Sequence, residues 1–600
     1  MIKVSDYIVN FIANMGVKTV FMLAGGQAMH IVDSIGRNKH INFVCALHEQ
    51  AASMMAEAYS RATDNFGVAV VTTGPGGTNA MTGVAGAWLD STPCMIISGQ
   101  FRVENTIGKL GIRQTCLQGT NPVELVKPIT KYAVMIEDPK TIRYHLEKAV
   151  YMAKNGRPGP VWLDIPLDIQ SAMIDEADLM PFNEEEINIQ SDNIDLKSAV
   201  KEIIAFLQKA RRPVILAGNG IRLSKSIDKF HTLVEKLGIP VLTSINGIDL
   251  IHDAHPLYMG RPNYWGQRAA NFIVQNADVL LTIGAGLHLE TTGFNYKAFA
   301  REAKKIIVDI DPNELNKPFI KPDVKVLSDA GVFINEMLIE LKDNMIADKQ
   351  EWLDICRSWK AEFPLILPEF FENKDFVNPF VFTDVLSDEL SDDDIIIPGS
   401  AGSHFTTSVQ CFKVKKGQRV FSEIGIGAMG HSLPSAIAAS IANDGKRSIC
   451  ITGDGGIQLN IQELQTIITY NLPVKIFLMN NGGYMSIRNT QNNFFNKAYA
   501  GCNKESGLIF PDMIKIAEAY GFKTNRITNN NELKDKIREV LDEEGAVFCE
   551  VMLDPDAKLI PNVGSQKLED GKMISSPLED MSPLLDRETF MKHMFIEPWR

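Results

Sequence analysis

The chain has no basic tract, no long apolar run, no cysteines at paired spacing and no low-complexity segment. Each absence excludes something. With 60 basic against 73 acidic side chains, the formal charge is −13 over 600 residues. Nucleic acid and anionic membrane surfaces are therefore poor partners. No stretch reaches the ~18 uninterrupted apolar residues of a membrane-spanning helix. The eight cysteines show neither CxxC nor metal-ligand spacing, and Cys45, Cys450 and Cys549 lie in strand-like runs. They read as core thiols of a protein in a reducing cytoplasm. The opening MIKVSDYIVNFIANMGV is interrupted by Asp6 and Asn10 and reads as an amphipathic helix rather than a signal peptide. At ~150 residues per domain, three or four domains are expected.

What is present is organised around Ser448 to Tyr484. Ile449, Cys450 and Ile451 form a short apolar run. After a glycine turn, Ile457, Ile461, Leu464 and Ile468 recur at helical spacing, and Val474 to Met479 is a second apolar run. Such a strand–helix–strand unit runs its strands parallel and puts both carboxyl ends on one sheet edge, where open α/β folds bind ligands. Asp454 and the Asn480–Asn481 pair then come side by side, although Asp454 and Asn481 are 27 positions apart. One carboxylate, one amide oxygen and a backbone carbonyl near Gly483 suit Mg²⁺, which shares its remaining positions with phosphate and water. Gly453, Gly455 and Gly456 let backbone N–H groups approach a phosphate. For GDG alone, a plain turn ending a buried strand would serve equally well.

GDG followed at this distance by NN resembles the thiamine diphosphate (ThDP) motif of the acetolactate synthase and pyruvate decarboxylase superfamily. The resemblance covers nearly the whole chain and implies that Asp454, Asn481 and the Gly483 carbonyl hold Mg²⁺ on the cofactor's diphosphate.

Residues 1–170 alternate helices with the strands VKTVFML, INFVCAL, GVAVVTT, PCMIISG and VWLDI, a doubly wound parallel sheet. Its first strand ends at Gly25-Gly26, whose backbone N–H groups can face a ligand. The second ends at His48-Glu49. Alone, Glu49 is an acid in a first helical turn, complementing the macrodipole. By resemblance it is the acid that bonds N1′ of the aminopyrimidine and favours its 4′-imino tautomer, which takes the C2 proton. That role needs a desolvated carboxyl group, and Val44, Ala46 and Leu47 are consistent with one. His48 reads as structural. The resemblance puts Pro75 and Asn79, from GPGGTN, near the aminopyrimidine and Gln118 on the substrate side. Arg113 and Gln114 are candidate carboxylate or phosphate contacts.

Residues 171–192 are acidic and read as a linker. A second, smaller doubly wound domain spans 193–345, with Gly218, Gly220, Gly284 and Gly286 at strand ends. GNG and GAG alone are weak nucleotide signals, but GAGL…TTG and VDIDPNEL resemble the FAD-holding version of this domain. A connection around EWLDICRSW leads to a third domain, 381–565. There the resemblance implies that Ser403 and His404, after Gly402, donate to the diphosphate. It also implies that Met429 is the apolar wedge bending the cofactor, and that the Gly427 carbonyl accepts from the 4′-nitrogen. Gly455 and Gly456 belong with the diphosphate. The tail, 566–600, reads either as surface-docked or as a lid.

The fold expected is α/β, three doubly wound parallel-sheet domains. The function implied is ThDP- and Mg²⁺-dependent decarboxylation of a 2-oxo acid such as pyruvate, with carboligation to a carbonyl acceptor. In the family the two halves of a site come from different subunits, which implies a homodimer or homotetramer. Three departures stand out. Ser486 and Thr490 replace a methionine and a tryptophan of biosynthetic acetolactate synthases, and His431 replaces an aromatic. They leave open a more polar acceptor such as a keto-sugar, as in surface-polysaccharide pathways. A decarboxylase or an oxidase would share the ThDP site, and a non-catalytic nucleotide-binding homologue would share the same sheets.

Overall fold

The computed structural model describes residues 1–108, 110–187, 195–342, 346–567 and 571–599. The expected limits at 193 and 345, and parts of the linker and tail, lie outside them.

Three six-stranded parallel sheets form the framework. The first comprises β1 (Thr19–Met22), β2 (Asn42–Cys45), β3 (Gly67–Val71), β4 (Cys94–Gln100), β5 (Tyr132–Met135) and β6 (Val161–Pro166), in the order β2-β1-β3-β4-β6-β5. The second comprises β7 (Pro213–Ala217), β8 (Val241–Thr243), β9 (Tyr258–Gly260), β10 (Val279–Ile283), β11 (Lys304–Asp309) and β12 (Val324–Leu327), ordered β9-β8-β7-β10-β11-β12. The third comprises β13 (Ile395–Pro398), β14 (Arg419–Val420), β15 (Ser448–Gly453), β16 (Val474–Asn480), β17 (Lys523–Ile527) and β18 (Val547–Met552), ordered β14-β13-β15-β16-β18-β17. The first and third sheets thus share one connectivity. Their strand order reverses between β1 and β3 and between β13 and β15, which opens a crevice at each carboxyl edge. Helices cover both faces, so β3 and β15 are buried along their whole length.

Helix α1 (Glu49–Thr63) follows β2, α2 (Pro75–Leu89) follows β3, α3 (Ser403–Cys411) follows β13, and α4 (Ser432–Ala442) follows β14. Helices α1 and α4 occupy equivalent places in their domains and pack on each other. Alanines on both, among them Ala52, Ala56, Ala436 and Ala439, allow the close approach, and one apolar core runs through the two outer sheets. A polar knot crosses this seam. Glu57 accepts from Thr92 Oγ1 (3.0 Å) and meets Arg61 (3.4 Å) and His431 (3.3 Å), all buried. Burial opposes the charge on Glu57, but Arg61 and His431 outweigh it and hold the carboxyl below its usual range.

The first helix, Val4–Asn14, buries Val4, Ile8, Val9 and Ile12. In the acidic stretch after residue 170, Met173–Ile174 pairs antiparallel with Ile2–Lys3. Cys450 and Cys549 are core thiols, but Cys45 is exposed, because β2 is an edge strand with three of its four residues facing out. The tail docks on the central domain. Leu578, Met581, Phe590 and Met594 join its core, and the fully buried Glu579 bonds Arg301 (2.8 Å) and Gln275 (2.5 Å).

Candidate active site

The loops after β13, β15 and β16 enclose a cavity of about 330 Å³. Asp454, directly after β15, is 3% exposed and accepts backbone N–H bonds from Gly455 (2.9 Å) and Gly483 (3.0 Å). Burial pushes its carboxyl up to about 6 against those bonds. Asn481, after β16, has a buried side-chain oxygen with no partner. Gly483 takes φ +144°, and a Cβ there would lie 2.1 Å from the Cys502 carbonyl, so the turn requires glycine. His404 is buried in the first turn of α3, with Nδ1 unpartnered, and burial pushes its ring down to about 4. Ser403 Oγ, also buried, lacks a partner.

Gly402, His404, Met429, Asp454, Gly455, Gly456, Asn481 and Gly483 all line this one cavity. Orphaned buried polar atoms are rare in folded proteins. An amide oxygen and a ring nitrogen left unmatched beside a carboxylate fit a metal-bound diphosphate, and the unmatched Ser403 hydroxyl is next to His404 in the chain. Among the described residues no group of three or more His, Cys, Asp or Glu could hold a metal. The donor set available is therefore the mixed one that a hard, partly hydrated cation accepts.

The loop that leads to Met429 is held by two carboxylates. Asp90, after α2, accepts from Ile424 N (2.9 Å) and Gly425 N (3.1 Å). Glu423 accepts from Ile426 N (2.8 Å) and Ala428 N (2.9 Å). Gly427 has φ +64° with open space around it, and Met429 stands 39% exposed at the cavity. Neither Asp90 nor Glu423 is marked by any local motif.

The first domain gathers a second cluster. Glu49 starts α1, is 7% exposed and accepts from Asn79 Nδ2 (3.0 Å), leaving Oε1 unengaged by Asn79. His48 caps the same helix by accepting from Gln50 N (3.0 Å), the structural role expected of it. Pro75 opens α2. Gln118, at φ +66°, abuts Gly74, while Gly26 is exposed at the end of β1. Arg113 and Gln114 are exposed. No residue of this cluster lines the cavity of the third domain. Within one chain, the two halves do not meet there. Of the three departures, Ser486 and His431 line the cavity, His431 while also bonded to Glu57 and Ser435, and Thr490 does not and is bonded to the Ser486 carbonyl (3.0 Å).

A separate cavity of about 390 Å³ lies at the carboxyl edge of the central sheet, with Asn219, Gly220, Gly284, Gly286 and Asp309 in its wall. Asn219 Oδ1 is buried and unpartnered, and burial pushes Asp309 up to about 6. Part of VDIDPNEL is structural: Asp311 and Glu314 receive Arg157 of the first domain (3.2 and 2.9 Å).

Three family models match along the chain: thiamine pyrophosphate enzyme N-terminal TPP binding domain over residues 2–119, central domain over 200–337 and C-terminal TPP binding domain over 400–551. The chain belongs to the thiamine pyrophosphate enzymes. Similar proteins include an acetolactate synthase large subunit of Cyanidium caldarium, 32% identical over 92% of this chain and 93% of that one. One of Lactococcus lactis is 30% identical over 93% and 94%. Acetolactate synthase 2, chloroplastic, of Nicotiana tabacum is 31% identical over 94% and 84%. Within the family, this chain is thus an enzyme of acetolactate synthase type.

Proposed function

We propose that this enzyme decarboxylates pyruvate and joins the two-carbon fragment to a second 2-oxo acid, as an acetolactate synthase does. The observation that carries the reading is the convergence of Asp454, Asn481 and His404, the last two with unmatched polar atoms, on one cavity. ThDP, when bound, supplies the electron sink that decarboxylation of a 2-oxo acid requires.

In this reading Asp454, the Asn481 side-chain oxygen and the Gly483 carbonyl hold Mg²⁺, and the cation keeps Asp454 ionised. His404, neutral because it is buried, donates with Ser403 to the diphosphate, and Gly402, Gly455 and Gly456 let it approach. Met429 gives apolar support beside the Gly427 carbonyl. Glu49 holds a proton at Oε1 while Asn79 fixes the carboxyl through Oε2. Pro75 shapes the turn beneath it. Gly26 and Gln118 complete the substrate side.

Since the Glu49 cluster and the Asp454 cavity do not meet within a chain, a second copy supplies the missing half, in a homodimer or homotetramer. The exposed apolar side chains of Leu47, Leu117, Leu459 and Ile487 favour that burial. FAD is assigned to the central cavity on the strength of its position at the sheet edge and the unmatched Asn219 oxygen. Flavin absorbance released on denaturation tests it. No helix among the described residues is long and apolar enough to cross a membrane, and a cytoplasmic location is part of this reading. A keto-sugar acceptor loses support, since Thr490 lies off the cavity and the similar proteins are acetolactate synthases.

The test is purified protein with ThDP, Mg²⁺ and pyruvate, following CO₂ and products. Acetolactate is expected. Carbon dioxide without acetolactate would overturn the acceptor assignment, and no turnover would overturn the donor.

A further inference from the structure

A third cavity, of about 270 Å³, lies where all three domains meet. Arg61 and Asp64 reach it from the carboxyl-terminal end of α1, and Lys154 from the end of the helix Ile142–Lys154. Arg222 and Lys225 come from the central domain and Arg419 from the start of β14. Five cations thus face one carboxylate. Arg61 is matched by Glu57 (3.4 Å) and Asp90 (3.5 Å). Arg222 and Arg419 share Asp249 behind the wall, and Arg222 also meets Asp64 (3.4 Å).

Two lysines remain. Lys154 and Lys225 have no ion pair among the described residues, and burial followed by the Lys225 charge draws the Lys154 amine downward. Lys154 rests on the Phe66 ring, 5.2 Å away. The Arg222 side chain is only 10% exposed, yet its Nε–H has no acceptor. A buried guanidinium N–H without a partner is costly. Here it sits beside uncompensated positive charge, in a space large enough for a small anion. No aromatic side chain lines the wall, so nothing would stack on a nucleobase. Guanidinium and ammonium donors around a compact space suit phosphoryl oxygens.

We propose that this three-domain cavity binds a small phosphate-bearing anion, held by Arg222, Lys154 and Lys225. Lys154, Pro158, Asn219 and Leu223 also border the central cavity, but Arg222, Lys225 and Arg419 do not. The site adjoins the cavity assigned to FAD without coinciding with it, and the proposal does not depend on the catalytic reading.

The test is calorimetric titration of inorganic pyrophosphate into enzyme already saturated with ThDP and Mg²⁺, with and without FAD. One further equivalent per chain is expected, with FAD present or absent. Lys154→Gln with Lys225→Asn should weaken it at least tenfold; asparagine tolerates the positive φ of +54° at Lys225. Asp64→Asn, which removes the only carboxylate of the wall, should tighten binding about threefold, a gain that a damaged fold could not produce. Glycerol 3-phosphate in place of pyrophosphate distinguishes a phosphorylated metabolite from an inorganic anion. No binding beyond the cofactor, binding indifferent to the lysine changes, or displacement by FAD would each overturn the proposal.

Discussion

Asp90 and Gly425 are 335 positions apart, yet the Asp90 carboxylate accepts the Gly425 N–H at 3.1 Å and that of Ile424 at 2.9 Å. The loop leading to Met429 is thus anchored in another domain. Burial, with the charges of Glu57 and Glu423 against that of Arg61, pushes Asp90 up to about 6. Its folded value lies above its unfolded one. Stability linked to this group is therefore full below pH ~4 and lost as pH rises through about 6, at most roughly 3 kcal/mol. Asp90→Asn should melt progressively higher relative to the parent between about pH 4 and pH 6, and by a constant margin above that. A melting difference that does not change with pH would refute the linkage. Asparagine accepts with one oxygen where two served, so kcat should fall about tenfold while ThDP affinity changes little.

Glu49→Gln keeps the acceptor for Asn79 Nδ2 but cannot hold and pass a proton. CO₂ release from pyruvate should fall by roughly 10²–10⁴, with ThDP binding and thermal midpoint near those of the parent. Retained activity would remove Glu49 from proton transfer.

Asn481→Leu replaces the unmatched oxygen with a methyl group of similar size. The Mg²⁺ concentration for half-maximal activity should rise about 10–100-fold, and chelator should release ThDP from the parent. An unchanged Mg²⁺ requirement would show that Asn481 is not a ligand.

Complementation addresses the division of the site between chains. Glu49→Gln and Asp454→Asn proteins should each be inactive, whereas random mixed dimers should recover about a quarter of parental activity. Half the dimers are mixed, and each of those has one intact site. No recovery would place both halves of the site in a single chain.

Arg261 is buried and donates to the carbonyls of Val409 (2.6 Å) and Phe412 (2.7 Å), tying the end of α3 to the central domain. Arg261→Met leaves both acceptors unmatched and should cost about 3 kcal/mol, lowering the thermal midpoint. Arg261→Lys keeps the charge without the fork and should rescue only part of the loss. A midpoint unaffected by Arg261→Met would show that this anchor is unimportant.

The three-sheet architecture was legible because central parallel strands are continuous apolar runs, and β3, β10 and β16 read as such. Edge strands other than β2, read as INFVCAL, were not. β14 is two residues long, and β5 and β9 are too short to show a pattern. The cavity around Asp454 was legible because GDG and NN fall at the ends of neighbouring strands. Asp90 and Arg261 were invisible, since each acts on backbone from another domain and no local spacing encodes that, while Glu423 braces its own loop and belongs to no motif. His431 was half legible: it lines the cavity, as its place beside Met429 suggested, but its bond to Glu57 on α1 crosses between domains. Cys45 looked like a core residue because an edge strand still begins as an apolar run.

The buried Glu579, clasped by Arg301 and Gln275, and the His593 carbonyl, which accepts from Asn276 Nδ2 at 2.8 Å, sew the tail into the central domain. These residues follow the third domain along the chain. The middle domain therefore completes its core with a segment separated from it by the whole of another domain.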